Sequence, residues 1–242
     1  MPSFLLFSLW APMVALGDVA VGEYRYGQER PARSALLGLV AAALGIERDD
    51  EAGQRALMDG YGVAVRVNAS GLPLTDFHTA QSVSTRRNRR WATRRDELAA
   101  PGLETILSRR DYRMDAAYTV VLWPRPQAPY PLETVAAALQ RPHFTLHVGR
   151  KACPLGAPPA PWLHETATLA EALSAYDQHR SLKPASPGEG GAVYADVEAG
   201  PWLGAGLVER QRRQRRDAVV SRRGWRFGLR EELAAGVAGG AS

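Results

Sequence analysis

The order in which apolar spacing changes along the first 150 residues limits this chain to few folds. Residues 33–46 place Leu36, Val40 and Leu44 on one face of a helix. Residues 61–67 alternate in the period of two that is typical of a half-buried strand. By the same reasoning we predict strands at 3–9, 75–83, 117–123 and 144–148 and a second helix at 131–140. The resulting order β-α-β-β-α-β, interrupted by one insertion, predicts an α+β, ferredoxin-like domain.

Capping and turn residues set the expected limits of these elements. Ser34 suits the N-cap of the first helix, and Gly45 suits the left-handed residue that follows it. Pro12 and Gly17 mark a loop, so we expect the first strand to end at Leu9.

The insertion is the stretch between Ser84 and Arg110, where the apolar pattern stops. Arginines surround Trp91 there, at positions 86, 87, 89, 90, 94 and 95. A stretch this polar cannot bury a core, so we expect it to project as a long loop or hairpin. We place this insertion at about residues 80–116 of a domain that covers residues 1–152.

Residues 153–242 are expected to form a smaller, β-rich C-terminal extension. Four prolines between Cys153 and Trp162 indicate an irregular connector. Thr168 and Glu171 have the spacing of a capping box that begins a helix to about Tyr176, and residues 184–191 resemble a flexible loop. The tail at 209–230 carries eight arginines between positions 210 and 226; it could form a solvated strand pair, and its partner is left open.

The charge of the chain favours an anionic partner. The 30 Lys and Arg against 25 Asp and Glu give a net charge of +5, and all of these cations except Lys151 and Lys183 are arginines. Arginine is a planar, bidentate donor to phosphate. The single cysteine, Cys153, excludes an internal disulfide and fits a reducing cytoplasm. The apolar first seventeen residues lack a basic region and are too few to span a bilayer, so we expect no membrane anchor.

Three groups of residues could bind phosphate. Arg30, Arg33 and Ser34 lie at the start of the first helix, where unpaired N–H groups favour anions. The arginines of the insertion form the second group, with Trp91 available to stack on a base. Gly149, Arg150 and Lys151 form the third. Each group has an ordinary alternative, namely a helix cap, a solvated charged face and a surface turn.

Catalytic patterns are weak in this sequence. The five histidines form no HExxH motif, and Cys153 lacks the neighbours of a nucleophile, so we expect neither a metal site nor a cofactor. Tyr112, His147 and Lys151 could converge on a ribose hydroxyl, although nothing in their spacing requires it.

Several blocks in the same order resemble the CasD family of subunits of Cascade, the type I-E CRISPR surveillance complex, which belongs to the repeat-associated superfamily. The likeness covers about 155 residues and weakens beyond them. It rests on Ser3-Phe4-Leu5, Ala11-Pro12-Met13, Pro31-x-Arg33-Ser34-x-Leu36-Leu37-Gly38-Leu39, Leu44-Gly45-Ile46, Asp76-Phe77-His78-Thr79 and Gly149-Arg150-x-x-Cys153-Pro154-Leu155.

This resemblance implies an RRM-like, non-catalytic RNA-binding protein of antiviral defence. Such a protein holds the 5′ repeat-derived handle of the CRISPR RNA (crRNA) and caps the backbone of CasC subunits. The large subunit CasA docks nearby, and target DNA is met only through the complex. A thumb-like hairpin presses on the RNA, and the arginine-rich insertion falls where that thumb belongs. The alternative is a metal-independent endoribonuclease that processes CRISPR precursor RNA.

Carried onto this sequence, the resemblance implies a set of RNA-binding residues drawn from all three groups and from the strand that follows the insertion. An Arg33→Ala or Arg110→Ala variant is accordingly expected to weaken RNA retention or complex assembly while keeping its fold. The predicted contacts are Arg30, Arg33, Ser34, Arg86, Arg87, Arg89, Arg90, Trp91, Arg109, Arg110, Tyr112, His147, Gly149, Arg150 and Lys151.

Overall fold

A computed structural model describes residues 1–18, 20, 22–83, 90–180 and 191–237. Within these ranges the chain forms a mixed α/β fold around one large, mostly antiparallel sheet of nine strands. The strands are β1 (Ser3–Val14), β2 (Tyr24–Arg25), β3 (Tyr61–Ala69), β4 (Leu72–Val83), β5 (Leu103–Pro124), β6 (Trp162–Glu165), β7 (Val193–Asp196), β8 (Leu207–Ser221) and β9 (Arg226–Val237).

Five α-helices and one 3₁₀ helix accompany the sheet in the described ranges. They are α1 (Arg33–Leu44), α2 (Glu51–Gly60), α3 (Arg94–Leu98), α4 (Leu132–Gln140), α5 (Leu169–His179) and the 3₁₀ helix Val197–Trp202. No helix in the described part of the chain is both long and apolar enough to cross a membrane.

The main path of the sheet has the order β6-β1-β5-β3-β7-β9-β8, and β2 and β4 pair with the first half of β5. The second half of β5 is the centre of the fold, because it is bonded to β1 on one side and to β3 on the other. Strands β6 to β9 come from the predicted C-terminal extension and continue the same sheet. A domain boundary at residue 152 stays a prediction.

Alternation along β1 supplies one core on each face of the sheet. Leu5, Phe7 and Leu9 pack against α1 and α4, whereas Phe4 and Leu6 pack in a second cluster with α5 and the 3₁₀ helix. All five side chains are almost fully buried. Because helices cover both faces of the central sheet, its strands are open to solvent at the edges of the sheet and in the hairpins that extend beyond it.

The prediction that β1 ends at Leu9 is wrong, since the strand continues through Pro12 to Val14. Strand β6 pairs with β1 only at Ser3–Leu6, so β1 has β5 alone as its neighbour around Pro12. A proline is tolerated there because its missing N–H removes no bond to a second strand.

The predicted strand at 144–148 is also wrong. The backbone N–H groups of His143 and Phe144 donate to the carbonyls of Ala43 and Ala42, at the end of α1, over 2.9 and 3.1 Å. This segment therefore closes a helix end instead of joining the sheet. The place beside β1 is taken by β6, which begins at Trp162, where the expected connector ends.

Both helix-cap predictions for α1 can be compared with the structure. Gly45 has φ of 80° and ends the helix as predicted. Ser34, however, is not the N-cap: the helix begins at Arg33 after Ala32, which has no side chain to cap it. The N–H of Arg33 donates instead to Asp217 of β8 over 2.8 Å, so a carboxylate from a distant strand caps this helix.

Helix α2 was missed because its residues are polar. The Asp50 side chain accepts from the Gly53 N–H and starts the helix, and Leu57 and Met58 anchor it in the core. The predicted capping box at Thr168 is confirmed, with its hydroxyl accepting from the Glu171 N–H. The flexible loop predicted at 184–191 lies outside the described residues except for Gly191.

Candidate nucleic-acid interface

Strands β4 and β5 form a long hairpin that encloses the middle of the predicted insertion, but it begins at Leu72 and includes the strand predicted separately at 75–83. Their pairing runs from Leu72 opposite Met114 to Val83 opposite Leu103, and most of these side chains are exposed. Twelve residues of strand correspond to about 40 Å of length. We call this pair the thumb hairpin; it carries the short helix α3 beyond the strand ends.

A row of aromatic rings with one guanidinium group among them crosses one face of the thumb hairpin. Arg109 of β5 is paired with Tyr24 of β2 on one side and with Phe77 of β4 on the other. Its guanidinium carbon lies 5.9 Å from the centre of the Tyr24 ring and 5.1 Å from that of Phe77. The two rings are 43% and 60% exposed, so a flat ligand could reach both.

Tyr26 extends this row beyond β2. Its ring is stacked on Tyr24 with centroids 5.6 Å apart and planes 9° apart, and it is 52% exposed. The Arg25 guanidinium donates to the Gly22 carbonyl over 2.6 Å, which orders the turn that presents both tyrosines. We call Tyr24, Tyr26, Phe77 and Arg109 the aromatic row. Exposed rings and a cation of this kind are the parts with which proteins hold unpaired bases.

The predicted contacts Tyr112 and Arg150 meet at the base of the thumb hairpin. The Arg150 guanidinium lies 4.5 Å from the centre of the Tyr112 ring, which is buried beside Cys153 and Ala15. Arg109 and Tyr112 are three residues apart in β5, so their side chains lie on opposite faces of that strand. Burial raises the pKa of the Cys153 thiol, as expected for a structural cysteine.

Gly149 permits a close backbone approach, but to this chain's own backbone. It has φ of 93°, and a Cβ there would lie 1.8 Å from the Ala15 carbonyl oxygen. Only glycine fits both conditions. The contact fixes the Arg150–Lys151 turn against the end of β1, with the Ala15 N–H donating to Val148 over 3.0 Å.

We expect a Gly149→Ala variant to lose about 2 kcal/mol or more in free energy of unfolding, because a left-handed backbone and a steric overlap act together. Urea denaturation would measure the loss. Gly102→Ala is the control: Gly102 has φ of 77°, but a Cβ there meets nothing within 4 Å. It should cost only about 1 kcal/mol, from backbone strain alone. Equal losses in the two variants would show that the Ala15 contact is not limiting.

The structure places Arg30 and Arg33 inward, in ion pairs. Both are 8% exposed. Arg30 binds both oxygens of Glu232 and lies 3.7 Å from the centre of the Tyr194 ring. Arg33 donates from Nε to Asp196 over 2.8 Å and from Nη2 to two backbone carbonyls over 2.7 Å each. Ser34 is buried as well. The expectation that Arg33→Ala leaves the fold intact therefore has no support in this geometry.

These two arginines belong to a larger network that joins α1 to the C-terminal strands. Its buried carboxylates are Asp196, Asp217 and Glu232, and Arg230 binds all three over 2.6 to 3.1 Å. Burial lowers the pKa of Arg230, but the hydrogen bond and charge of Asp217 outweigh it and the net direction is upward. Burial raises the pKa of Glu232 in the same network. These ion pairs hold β8 and β9 against the rest of the sheet.

The remaining predicted contacts are scattered. Arg90 and Lys151 are exposed, Trp91 and Arg110 are half-buried, and His147 is half-buried with no hydrogen-bond partner for its Nδ1 within the described chain. Arg86, Arg87 and Arg89 lie outside the described residues. Sequence reasoning missed Tyr24, Tyr26 and Phe77. The alternation Tyr24-Arg25-Tyr26 was the available signal, because it places two aromatic rings on one side of an extended segment.

Comparison with known proteins gives a family. The model of the family described as CRISPR-associated protein (Cas_Cas5) matches residues 4–231. The CRISPR system Cascade subunit CasD of Escherichia coli (strain K12) is 34% identical over 166 residues, which are 65% of this chain and 70% of that protein.

Two solved structures share the fold. A chain of a CRISPR RNA-guided surveillance complex superposes with a TM-score of 0.66 at 23% identity, over 97% of this chain and 90% of the other. A crystal structure of a Cas protein gives a TM-score of 0.60 at 25% identity, over 95% and 94%. On the family match and the curated relative together, the chain belongs to the Cas5 family of CRISPR-associated proteins.

Proposed function

We propose that this protein is a subunit of a CRISPR surveillance complex of the Cascade type, where it holds the 5′ repeat-derived handle of the crRNA and does not cleave it. Its relative at 34% identity is named as a Cascade subunit. In this proposal it caps one end of the CasC backbone, lies next to CasA, and meets target DNA only through the complex.

The aromatic row is the observation that carries the RNA-binding part of this proposal. Single-stranded RNA is held by stacking on aromatic or guanidinium planes and by cations on its phosphates. Arg109 supplies a guanidinium plane between two exposed rings. The exposed Arg90 and Lys151, and Arg110 and Arg150 on the other face of β5, are proposed as phosphate contacts from the predicted set. Arg86, Arg87 and Arg89 are kept as proposed thumb contacts from the resemblance alone.

The strand order β6-β1-β5-β3 supports a ferredoxin-like core for this interface. All three neighbouring pairs are antiparallel, and α1 and α4 lie on the same face. In a β-α-β-β-α-β arrangement these would be strands four, one, three and two. The β4–β5 hairpin then extends the connection between the second and third strands as the proposed thumb.

Cleavage has little support from the groups that could perform it. Tyr112 is 7% exposed, and the Arg150 guanidinium lies 4.5 Å from the centre of its ring, so little of this side chain is open to a bound RNA. Cys153 is fully buried with a raised pKa. Of the three residues that could converge on a ribose hydroxyl, Lys151 is exposed, and His147 has a ring nitrogen without a partner in the described chain.

Incubating the purified protein with handle RNA in EDTA tests both halves of the proposal. We expect a shifted complex, outcompeted by unlabelled handle RNA and only weakly by an unrelated RNA of equal length, with the RNA intact after recovery. Site-specific products that persist in EDTA and disappear in a His147→Ala variant would overturn the non-enzymatic part. Equal competition by the unrelated RNA would instead favour a general nucleic-acid chaperone.

A further inference from the structure

The hairpin of β8 and β9 ends in an exposed arginine-rich turn that the proposed handle site does not use. Strand β9 pairs with β7 only between Val193 opposite Ala235 and Asp196 opposite Glu232. Residues 226–231 and their partners on β8 therefore extend beyond the strands of the central sheet. We call residues 221–227 the hairpin tip.

The hairpin tip is anchored to the helices at its base. Ser221 donates to the Glu51 carboxylate of α2 over 2.6 Å, and Arg222 donates to the Ser34 carbonyl of α1. Burial lowers the pKa of Arg222, and this side chain has no carboxylate partner in the described chain. Keeping its guanidinium charged there therefore costs free energy of desolvation. Gly38 leaves room for it, because a Cβ there would lie 2.8 Å from the guanidinium.

Trp225 lies in this anchored hairpin tip and has a strained backbone conformation. Its φ is 49°, a region that a bulky residue rarely adopts. The Trp225 N–H donates to the Arg222 carbonyl over 3.3 Å, and the ring is 59% exposed. Strain at an exposed, well-anchored residue is a feature of ligand sites. A glycine would form this turn without strain, so tightness of the turn does not explain the tryptophan.

Cations surround the ring. The Arg48 guanidinium lies 5.5 Å from its centre. Arg223 and Arg226 lie on either side of Trp225 in sequence and are exposed, and neither side chain has a hydrogen bond or ion pair within the described part of the chain. The Glu51 carboxylate contacts the tip, where it is engaged by the Ser221 hydroxyl. An exposed indole among cations is complementary to a base and its two phosphates.

We propose that the hairpin tip is a second binding site for an unpaired nucleic-acid segment, in which Trp225 stacks on a base while Arg223 and Arg226 contact the adjoining phosphates. The site goes beyond the proposed handle contact and does not share residues with the aromatic row. A stacking site of this type accepts RNA or DNA, because both offer a base face and a phosphodiester chain.

Photocrosslinking of the full chain identifies the site and its ligand together. The probes are a 15-nucleotide oligouridine containing 4-thiouridine and the corresponding DNA containing 4-thiothymidine. Peptide mapping should place crosslinks at Trp225 with at least one of the two probes. The probe that crosslinks shows whether the site binds RNA, DNA or both. Crosslinks confined to the aromatic row would overturn this proposal and leave the handle proposal standing, whereas crosslinks at the tip would support a second site, with the handle proposal tested separately by the competition experiment.

Fluorescence anisotropy with the same probes measures the contributions. Trp225→Gly removes the ring and relieves the backbone, so the fold is kept; we expect affinity at the tip to fall about fivefold or more. Arg223→Gln with Arg226→Gln should reduce the slope of log affinity against log salt by about 1.4, since each phosphate contact on a single strand contributes about 0.7. Unchanged affinity and slope would overturn the proposal.

Matched controls separate this site from general effects. Phe144→Ala removes another partly exposed ring, and Arg55→Gln with Arg141→Gln removes two exposed cations that have no side-chain partner in the described chain. Neither should change affinity or salt slope as the tip variants do. If the charge control lowers the slope as much as the tip pair, binding is only a net-charge effect and the proposed site is wrong.

Discussion

An Asp196→Asn variant is expected to lose about 3–5 kcal/mol in free energy of unfolding, a large share of the roughly 5–15 kcal/mol of an ordinary domain. The Asp196 side chain is 5% exposed and accepts from Arg33, Arg125, Arg230 and the Val63 N–H over 2.8 to 3.1 Å. Replacing one oxygen by an NH₂ group turns a donor toward these donors and leaves the buried Arg33 guanidinium without its carboxylate partner.

Chemical denaturation measures this loss, and Glu198→Gln is its matched control. Glu198 makes the same type of contact with Arg125, over 2.6 Å, but its side chain is 38% exposed. The same amide-for-carboxylate change should cost at most about 1 kcal/mol there, because solvent screens the pair. If the two variants lose equal amounts, burial is not what makes the Asp196 contacts strong.

The fold was predictable from the sequence where local pattern decides structure. Helix α1 and strand β3 were predicted almost to their ends, because a buried helical face and an alternating strand each leave their own period. The segment at 144–148 has the same apolar character, yet its backbone closes the end of α1. That choice depends on a helix about 100 residues earlier in the chain, so no local window contains it.

The candidate site was harder to predict, because arginines look alike in a sequence. Arg33 and Arg109 both lie in polar surroundings beside a predicted element. The carboxylate that binds Arg33 lies 163 residues away, and this separation hides the ion pair from sequence reasoning. Arg109 faces two aromatic rings that strand pairing brings to it from β2 and β4. Cross-strand register, which only the fold defines, therefore separates the structural arginine from the exposed one.

Removing two of the three rings of the aromatic row, with Tyr24→Ala and Phe77→Ala together, is expected to weaken handle RNA binding by about 30-fold or more. A base stacked on an aromatic ring contributes roughly 1–3 kcal/mol, and this change removes two platforms. The rings are 43% and 60% exposed, so little core packing is lost and the melting temperature should stay close to that of the unchanged protein.

The salt dependence of binding distinguishes stacking from charge in this same variant. Loss of the two rings should lower affinity at every salt concentration without changing the slope, because no phosphate contact is removed. Arg109→Gln should lower the affinity and also reduce the slope, since its guanidinium lies between the rings and carries a charge. Leu98→Ala is the control, a 42% exposed apolar side chain on α3 away from the row. A double ring variant that binds handle RNA as tightly as Leu98→Ala would remove the aromatic row from the RNA path and leave the opposite face of β5, with Arg110 and Arg150, as the surface to be tested.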